Sequence, residues 1–389
     1  MTYSFDVSTM EQTALMGGLD VGLVKDLFKT RGLDTPLLLL SRSEVRRAIE
    51  DLRSALPRAE IFYAVKSNNH PAIIEEVFAA GGNFDVCSAG ELKGVMQTGI
   101  DPKTLLHTHP IKTAEEIDLA LEAGVEMFVV DNPSEIAKLK RITDRKLKIL
   151  IRYRVHLNTT AVVNLQYKFG CTVDDVLALA DAVREAGHVV HGLCFHIGSQ
   201  CIYPENYVKA IAAGGELIDE LAQAGHTIRL LDIGGGFPVP YVEPVPDIHD
   251  FCEPIREALD ELIRPDIRVI CEPGRFVSAR AVTLVCSVIG KSERDGKMWY
   301  YLDDGIYSTF SGIVFDHCQY PVVHDSQGDE YLSVLAGPTC DSFDTLYDGL
   351  LLPELEIGDL LIFPRTGAYC AVSGSDFNSL KRPQYRVID

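Results

Sequence analysis

The chain has 389 residues, with 36 Lys or Arg against 56 Asp or Glu and a formal net charge of −20. That balance argues against nucleic acid or a membrane surface as partner, since both need a basic footprint, and leaves small cations as the molecules its field would attract. Apolar content of 47% with 24% charged residues describes an ordinary globular protein, long enough for two domains or for one barrel with an appendage.

No run of about 18 apolar residues occurs, and the first residues show neither a signal-peptide apolar region nor an Arg-rich transit pattern. The expectation is a cytoplasmic protein. Ten cysteines are scattered without a CxxC pair or a zinc-type Cys/His spacing, so they read as reduced, mostly buried thiols.

Residues 1–35 do not follow the rhythm of what comes next and are expected to pack with a second domain. From 36 to 271, short apolar runs alternate with helical patterns. The runs are 36–40, 61–65, 84–86, 104–107, 126–130, 148–152, 192–196, 229–233 and 268–271; amphipathic stretches such as 114–123, 133–141, 173–185 and 206–223 lie between them. Strands of continuous rather than alternating hydrophobicity imply a parallel sheet covered by helices. The number of repeats predicts a closed (β/α)₈ TIM barrel over 36–271. Beyond 272 the texture changes to Val-, Tyr- and Thr-rich runs at 281–289, 298–302, 330–335 and 359–363, separated by turn clusters such as Arg294-Asp295-Gly296. This predicts an antiparallel β domain over 272–389, and the fold class is α/β plus all-β.

Chemistry-bearing residues fall at the ends of the barrel runs. Lys66 follows 61–65, where a partly desolvated amine can condense with an aldehyde. Asp232-Ile233-Gly234-Gly235-Gly236-Phe237-Pro238 places three glycines directly after a strand, and their backbone N–H groups can form a nest for phosphate. The loops after late barrel strands are where barrels commonly hold phosphate. Glu272 ends the last barrel run and could pair with a protonated pyridine nitrogen, making the ring a strong electron sink. Arg275 could add a charge-assisted bond to phosphate. His196 is followed by Gly198 and Ser199, so its ring could lie against a cofactor while Ser199 contacts phosphate. Together these motifs describe a pyridoxal phosphate site.

The chain resembles the alanine-racemase-fold pyridoxal phosphate decarboxylases, in their ornithine decarboxylase branch. The resemblance rests on 64–68, 195–199, 232–238 and 272–275, with Phe84-Asp85-Val86-Cys87-Ser88, Lys168-Phe169-Gly170, the 301–307 run ending in Tyr307, Phe315-Asp316-His317, Gly337-Pro338-Thr339-Cys340-Asp341 and Gly367-Ala368-Tyr369. It implies that Lys66 links covalently to the cofactor, that Glu272 pairs with its ring nitrogen, and that His196 stacks on the ring. Ser199, Gly234, Gly235, Gly236, Gly274, Arg275 and Tyr369 would hold the cofactor, chiefly by its phosphate, while Asp85 and Arg152 buttress Lys66. The family is homodimeric with shared sites, so Cys340 and Asp341 would reach into the partner's site. Cys340 would protonate the α-carbon after decarboxylation. Asp316 and Asp341 would bind the distal ammonium of the substrate, with Phe315 and Tyr307 also lining its pocket.

A cationic substrate end needs carboxylates in a largely dry pocket, so L-ornithine is the expected substrate and putrescine the product of a step in polyamine biosynthesis. L-lysine, one methylene longer, is an alternative, because a CH₂ discriminates by only ~1–3 kcal/mol. A racemase would call for an arginine in place of Glu272, and an inactive antizyme-inhibitor-like homologue would not need Lys66, Glu272, Arg275, Cys340 and Asp341 together. Three features depart from the family pattern: His107-Thr108-His109, read as two rings on one strand face; Asn158-Thr159-Thr160, within a 158–165 loop; and Cys370, where threonine is usual.

Overall fold

The computed structural model of the chain describes residues 21–156 and 167–389. The described residues form two compact units. One holds Arg46–Pro238 and Val245–Phe276; the other holds the described residues up to Val45, with Val239–Pro244 and Val277–Asp389.

The strand β1 (Leu37–Leu40) corrects the reading of the run 36–40 as barrel. It pairs antiparallel with β10 (Val282–Arg294) and parallel with the carboxyl-terminal strand Gln384–Val387. All four leucines are buried, and Leu37 and Leu39 pack with Val21, Val24, Val285, Val323 and Ile362. A central strand of a mixed sheet is apolar on both faces just as a barrel strand is, so the run cannot declare its sheet. Val21 and Val24 belong to the helix Val21–Arg31, the described part of the segment expected to pack with the β domain; 1–20 lies outside the described residues.

The barrel consists of β2 (Ala59–Ala64), β3 (Asn83–Val86), β4 (Leu106–His107), β5 (Met127–Val130), β6 (Lys148–Arg152), β7 (Val189–Cys194), β8 (Leu230–Asp232) and β9 (Arg268–Cys271). They close in that order, all parallel, with β9 returning to β2 through Ala59↔Val269 and Ile61↔Cys271. Phe62, Leu106, Met127, Val129, Leu150, Cys194, Leu230 and Ile270 form a buried apolar cluster, the side-chain plug that fills such a barrel. Helix starts in the barrel are set locally. Ser88, Thr113 and Asn132 accept the backbone N–H of Glu91, Glu116 and Glu135, three residues on, which satisfies amides the helix leaves unpaired.

The second sheet contains β10 with β11 (Lys297–Leu302), β12 (Glu330–Ala336), β13 (Thr345–Pro353), β14 (Leu360–Phe363) and β15 (Gln384–Val387). Its pairs β1–β10, β10–β11, β10–β14 and β12–β13 are antiparallel, while β11–β12 and β1–β15 are parallel. Asp295 and Gly296, at φ 52° and 74°, make the β10–β11 turn, where both central residues need a left-handed backbone. Glu272, Gly274 and Arg275 fall in the barrel unit, so the break between units lies a few residues later than the expected 271/272.

Candidate active site

Side-chain parity on the barrel strands assembles the site. Residues two apart on a strand share a face. One step beyond the plug residues Leu106, Val129, Leu150, Cys194, Leu230 and Ile270 stand Thr108, Asp131, Arg152, His196, Asp232 and Glu272. The carboxyl end of the barrel is therefore lined by polar groups directly above an apolar floor, the location of active sites in this architecture.

Lys66 lies in a single 3₁₀ turn, Val65–Ser67, straight after β2. Its ammonium is paired with Asp85, whose carboxylate is fully buried, and sits 3.7 Å from the Cys87 sulfur. The Thr108 hydroxyl donates to the other Asp85 oxygen. Asp85 therefore holds the lysine from one side while being fixed from the other. Burial pushes the Cys87 thiol up to about 12, which makes it a neutral packing partner rather than a nucleophile.

Asp232 and Glu272 face each other. Gly234 ties them together: its N–H donates to Asp232 Oδ1 at 2.8 Å, and its carbonyl accepts the Glu272 N–H at 2.8 Å. The two carboxyl groups hydrogen-bond to each other, burial holds both well above the ordinary carboxylate range, and Asp232 is pushed up to about 7. Two facing carboxyls in a dry site retain one proton between them. Glu272 Oε1 is buried with no hydrogen-bond partner among the described residues, an acceptor waiting for a donor.

The three-glycine loop is built so that no side chain would fit. A Cβ on Gly234, Gly235 or Gly236 would collide with the carbonyl oxygens of Phe195, Glu272 and Gly198 respectively, and Gly234 and Gly236 have φ of 68° and 112°. Arg275 donates to the Ser199 hydroxyl through Nε at 3.2 Å and Nη2 at 3.1 Å. Gly274 precedes it, buried, in the turn after β9. His196 Nδ1 accepts the Gly198 N–H at 2.9 Å, which leaves the ring proton on Nε2 in the neutral tautomer. Burial, then the positive charges of Arg152 and Lys66, hold the imidazole well below its usual range. Arg152, ending β6, lies over the Phe169 ring at 5.4 Å. Thus Lys66, Asp85, Arg152, His196, Ser199, the glycine loop, Glu272, Gly274 and Arg275 all belong to one end of one barrel.

The remaining residues singled out in the sequence lie in the other unit. The Tyr307 hydroxyl donates to Asp341, and this bond, with the Phe343 N–H at 3.0 Å, keeps the Asp341 carboxyl below the usual range. Cys340 is exposed. Asp316 closes the short helix Gly312–Phe315, with Phe315 exposed beside it. Tyr369 occupies a left-handed turn, φ 54°, and Cys370 behind it is buried, its sulfur 3.2 Å from the Tyr320 hydroxyl.

His107 and His109 do not share a strand face. β4 ends at His107, whose ring stacks on Phe128, and His109 lies beyond it, edge-on to Phe169. The loop 158–165 lies outside the described residues. Sequence reading gave no role to Asp232 or Thr108; Asp232 shares a face of β8 with Leu230, whereas Thr108 lies past the end of β4 and is placed by its bond to Asp85.

Residues 42–279 match the family model described as pyridoxal-dependent decarboxylase, pyridoxal binding domain. The chain is 39% identical to the lysine/ornithine decarboxylase of Selenomonas ruminantium, over 91% of this chain and 89% of that protein. It is 34% identical to the ornithine decarboxylase of Mus musculus, over 85% and 75%. Among solved structures, the lysine/ornithine decarboxylase of Vibrio vulnificus complexed with putrescine superposes with a TM-score of 0.88, at 40% identity over 95% of this chain and 98% of that one. The same enzyme complexed with cadaverine gives a TM-score of 0.89 at 39% identity, with the same coverage.

Proposed function

Because this chain belongs to the pyridoxal-dependent decarboxylases and acts on basic amino acids, we propose that it converts L-ornithine to putrescine, with L-lysine to cadaverine as a second activity of the same pocket. The observation that carries the substrate reading is Asp341, a carboxylate kept ionised by the Tyr307 hydroxyl and suited to a distal ammonium. The lysine activity is favoured by the relatives that carry both names and by the small discrimination a methylene allows, ~1–3 kcal/mol.

The barrel residues fit pyridoxal phosphate. Glu272 Oε1 offers an unmatched buried acceptor to a ring N–H, and the side-chain-free glycine loop beside Ser199 and Arg275 suits a phosphate. When bound, the cofactor supplies the electron sink that accepts the pair left by departing carbon dioxide.

The chain's own groups do the rest. Lys66 supplies the amine for covalent attachment, and Asp85 orients it and takes up the charge of its protonated form. In the cofactor-free fold the hydrogen bond leaves the shared proton on Glu272, the more strongly raised of the two. Glu272, on accepting a ring N–H, would pass that proton to Asp232 and be left ionised toward the ring nitrogen. His196, neutral, presents a flat apolar face to the ring without competing for that proton. Arg275 and Ser199 neutralise and orient the phosphate, with Gly274 leaving them room and Tyr369 as a further phosphate donor. Arg152 sets the potential around Lys66 and His196. Asp316, with Phe315 and Tyr307, completes the pocket for the distal ammonium. The proposal includes a cytoplasmic homodimer in which the partner subunit's Cys340 delivers the proton to the α-carbon.

Comparing kcat/KM of the cofactor-loaded protein on L-ornithine, L-lysine, L-arginine and meso-diaminopimelate tests the substrate reading. Turnover of ornithine, with lysine the next best substrate, is the expected result. A preference for arginine or diaminopimelate would overturn it.

A further inference from the structure

Cys340 is the exposed member of the chain's ten cysteines, and an exposed thiol on a loop has no fixed position of its own. Here the loop is fixed from a distance in sequence. The Cys340 N–H donates to Asn378 Oδ1 at 3.0 Å. Asn378 has φ 55° and ψ 8°, a left-handed conformation that Asn, Asp and Gly tolerate and most residues resist. The residues before it are tied to Tyr307. Phe377 stacks on the Tyr307 ring with centroids 4.4 Å apart, and Ser375 donates to the Tyr307 carbonyl through its N–H at 2.8 Å and its hydroxyl at 3.1 Å. Arg382 closes this bracket from behind, donating to the carbonyls of Ser375 at 2.9 Å and Ala371 at 2.7 Å. Tyr307 in turn donates to Asp341, the neighbour of Cys340. Segment 371–382 thus links the proposed proton donor and the proposed ammonium-binding carboxylate in one hydrogen-bonded unit.

We propose that Asn378 is a positioning residue for Cys340, its carboxamide oxygen and left-handed backbone fixing where the thiol lies and so where its proton goes. This rests on the reading of Cys340 as the α-carbon's proton donor. In the productive outcome the Sγ–H bond breaks, a C–H bond forms at the α-carbon, and the thiolate regains its proton from water. A thiol out of register leaves the proton to arrive instead at the cofactor carbon that had borne the aldehyde. The carbon dioxide having already left, addition of water across the remaining C=N bond then releases the aldehyde of the decarboxylated substrate and the aminated cofactor, which keeps the electron pair, so that no further oxidant is needed.

The test uses Asn378→Gly, which keeps the backbone conformation and removes the acceptor, and Asn378→Asp, which keeps both. Two readouts are taken on the cofactor-loaded protein: amine formed per carbon dioxide released, and the rate of Cys340 alkylation by iodoacetamide. With Asn378→Gly, aldehyde and aminated cofactor should rise about fivefold over wild type, as expected for loss of one hydrogen bond, and the alkylation rate should change by about threefold or more. Asn378→Asp should restore both values. Arg382→Gln, which loosens the same bracket from behind, should move both readouts the same way and guards against an Asn378→Gly variant that fails to fold. Wild-type partition and alkylation in Asn378→Gly would overturn the proposal, as would an Asn378→Asp variant no better than Asn378→Gly. If the wild-type protein decarboxylates neither ornithine nor lysine, the functional reading has failed. The alkylation rates then decide the positioning claim alone, unchanged rates in Asn378→Gly overturning it.

Discussion

Asp232 and Glu272, at the ends of the adjacent strands β8 and β9, hydrogen-bond carboxyl to carboxyl over an apolar floor and share a proton. The pair has a consequence for the cofactor-free protein. Asp232 has an ordinary value of 3.8 and about 7 in the fold, so the folded state binds more protons than the unfolded one between those values. Stability is then fully present below about pH 4 and falls as pH rises toward about 7, by up to ~1.4 kcal/mol per pH unit for a single group. Asp232→Asn should flatten this dependence of the apoprotein's melting temperature on pH. An unchanged slope in the variant would contradict the shared proton.

Gly235 offers a cleaner probe of the proposed phosphate nest than its neighbours, since its φ is not positive and only space is at issue. In Gly235→Ala the new methyl meets the Glu272 carbonyl oxygen and pushes the loop and Glu272 out of register together. Cofactor affinity should fall about tenfold or more, equivalent to ~1.4 kcal/mol, with the circular dichroism of the barrel retained. Equilibrium dialysis against pyridoxal phosphate measures it.

Removing the Tyr307 hydroxyl should weaken substrate capture rather than the chemical step. In Tyr307→Phe the Asp341 carboxyl loses the bond that holds it below its usual range, so as pH falls it becomes protonated earlier. The KM for ornithine should rise about three- to tenfold, the loss of one hydrogen bond to a charged group, with kcat within about twofold. The excess over wild type should grow toward pH 4. A loss confined to kcat would assign Tyr307 a different role.

The shared-site claim is tested by mixing. Lys66→Ala and Cys340→Ala proteins are each expected to be inactive in amine formation. Random exchange of equal amounts makes half the dimers hybrid, each with one intact site, so about a quarter of wild-type activity should return. No recovery after verified subunit exchange would remove the partner subunit's Cys340 from the mechanism.

Much of the barrel was legible because its strands are short apolar runs separated by amphipathic helices, each signal local to a few residues. The run 148–152 and the run 268–271 match β6 and β9 residue for residue. β1 was not legible, because Leu37–Leu40 is equally apolar whichever sheet receives it, and the choice was made by Val282–Val285 some 245 residues away. β13 and β15 were passed over, the former because Asp348 and Gly349 interrupt its apolar run. Within the site, residues at strand ends could be read from motif and parity. The bracket holding Cys340 could not, since Asn378 lies 38 residues away on a turn without periodicity.

The most direct measurement is borohydride reduction of the cofactor-loaded protein, followed by peptide mapping by mass spectrometry. The proposed site puts the pyridoxyl group on Lys66, in the peptide spanning 59–93 after tryptic cleavage blocked at the modified lysine. Label on that residue alone is the predicted result. Label on another lysine such as Lys112 or Lys168, or none with cofactor demonstrably bound, would contradict the site.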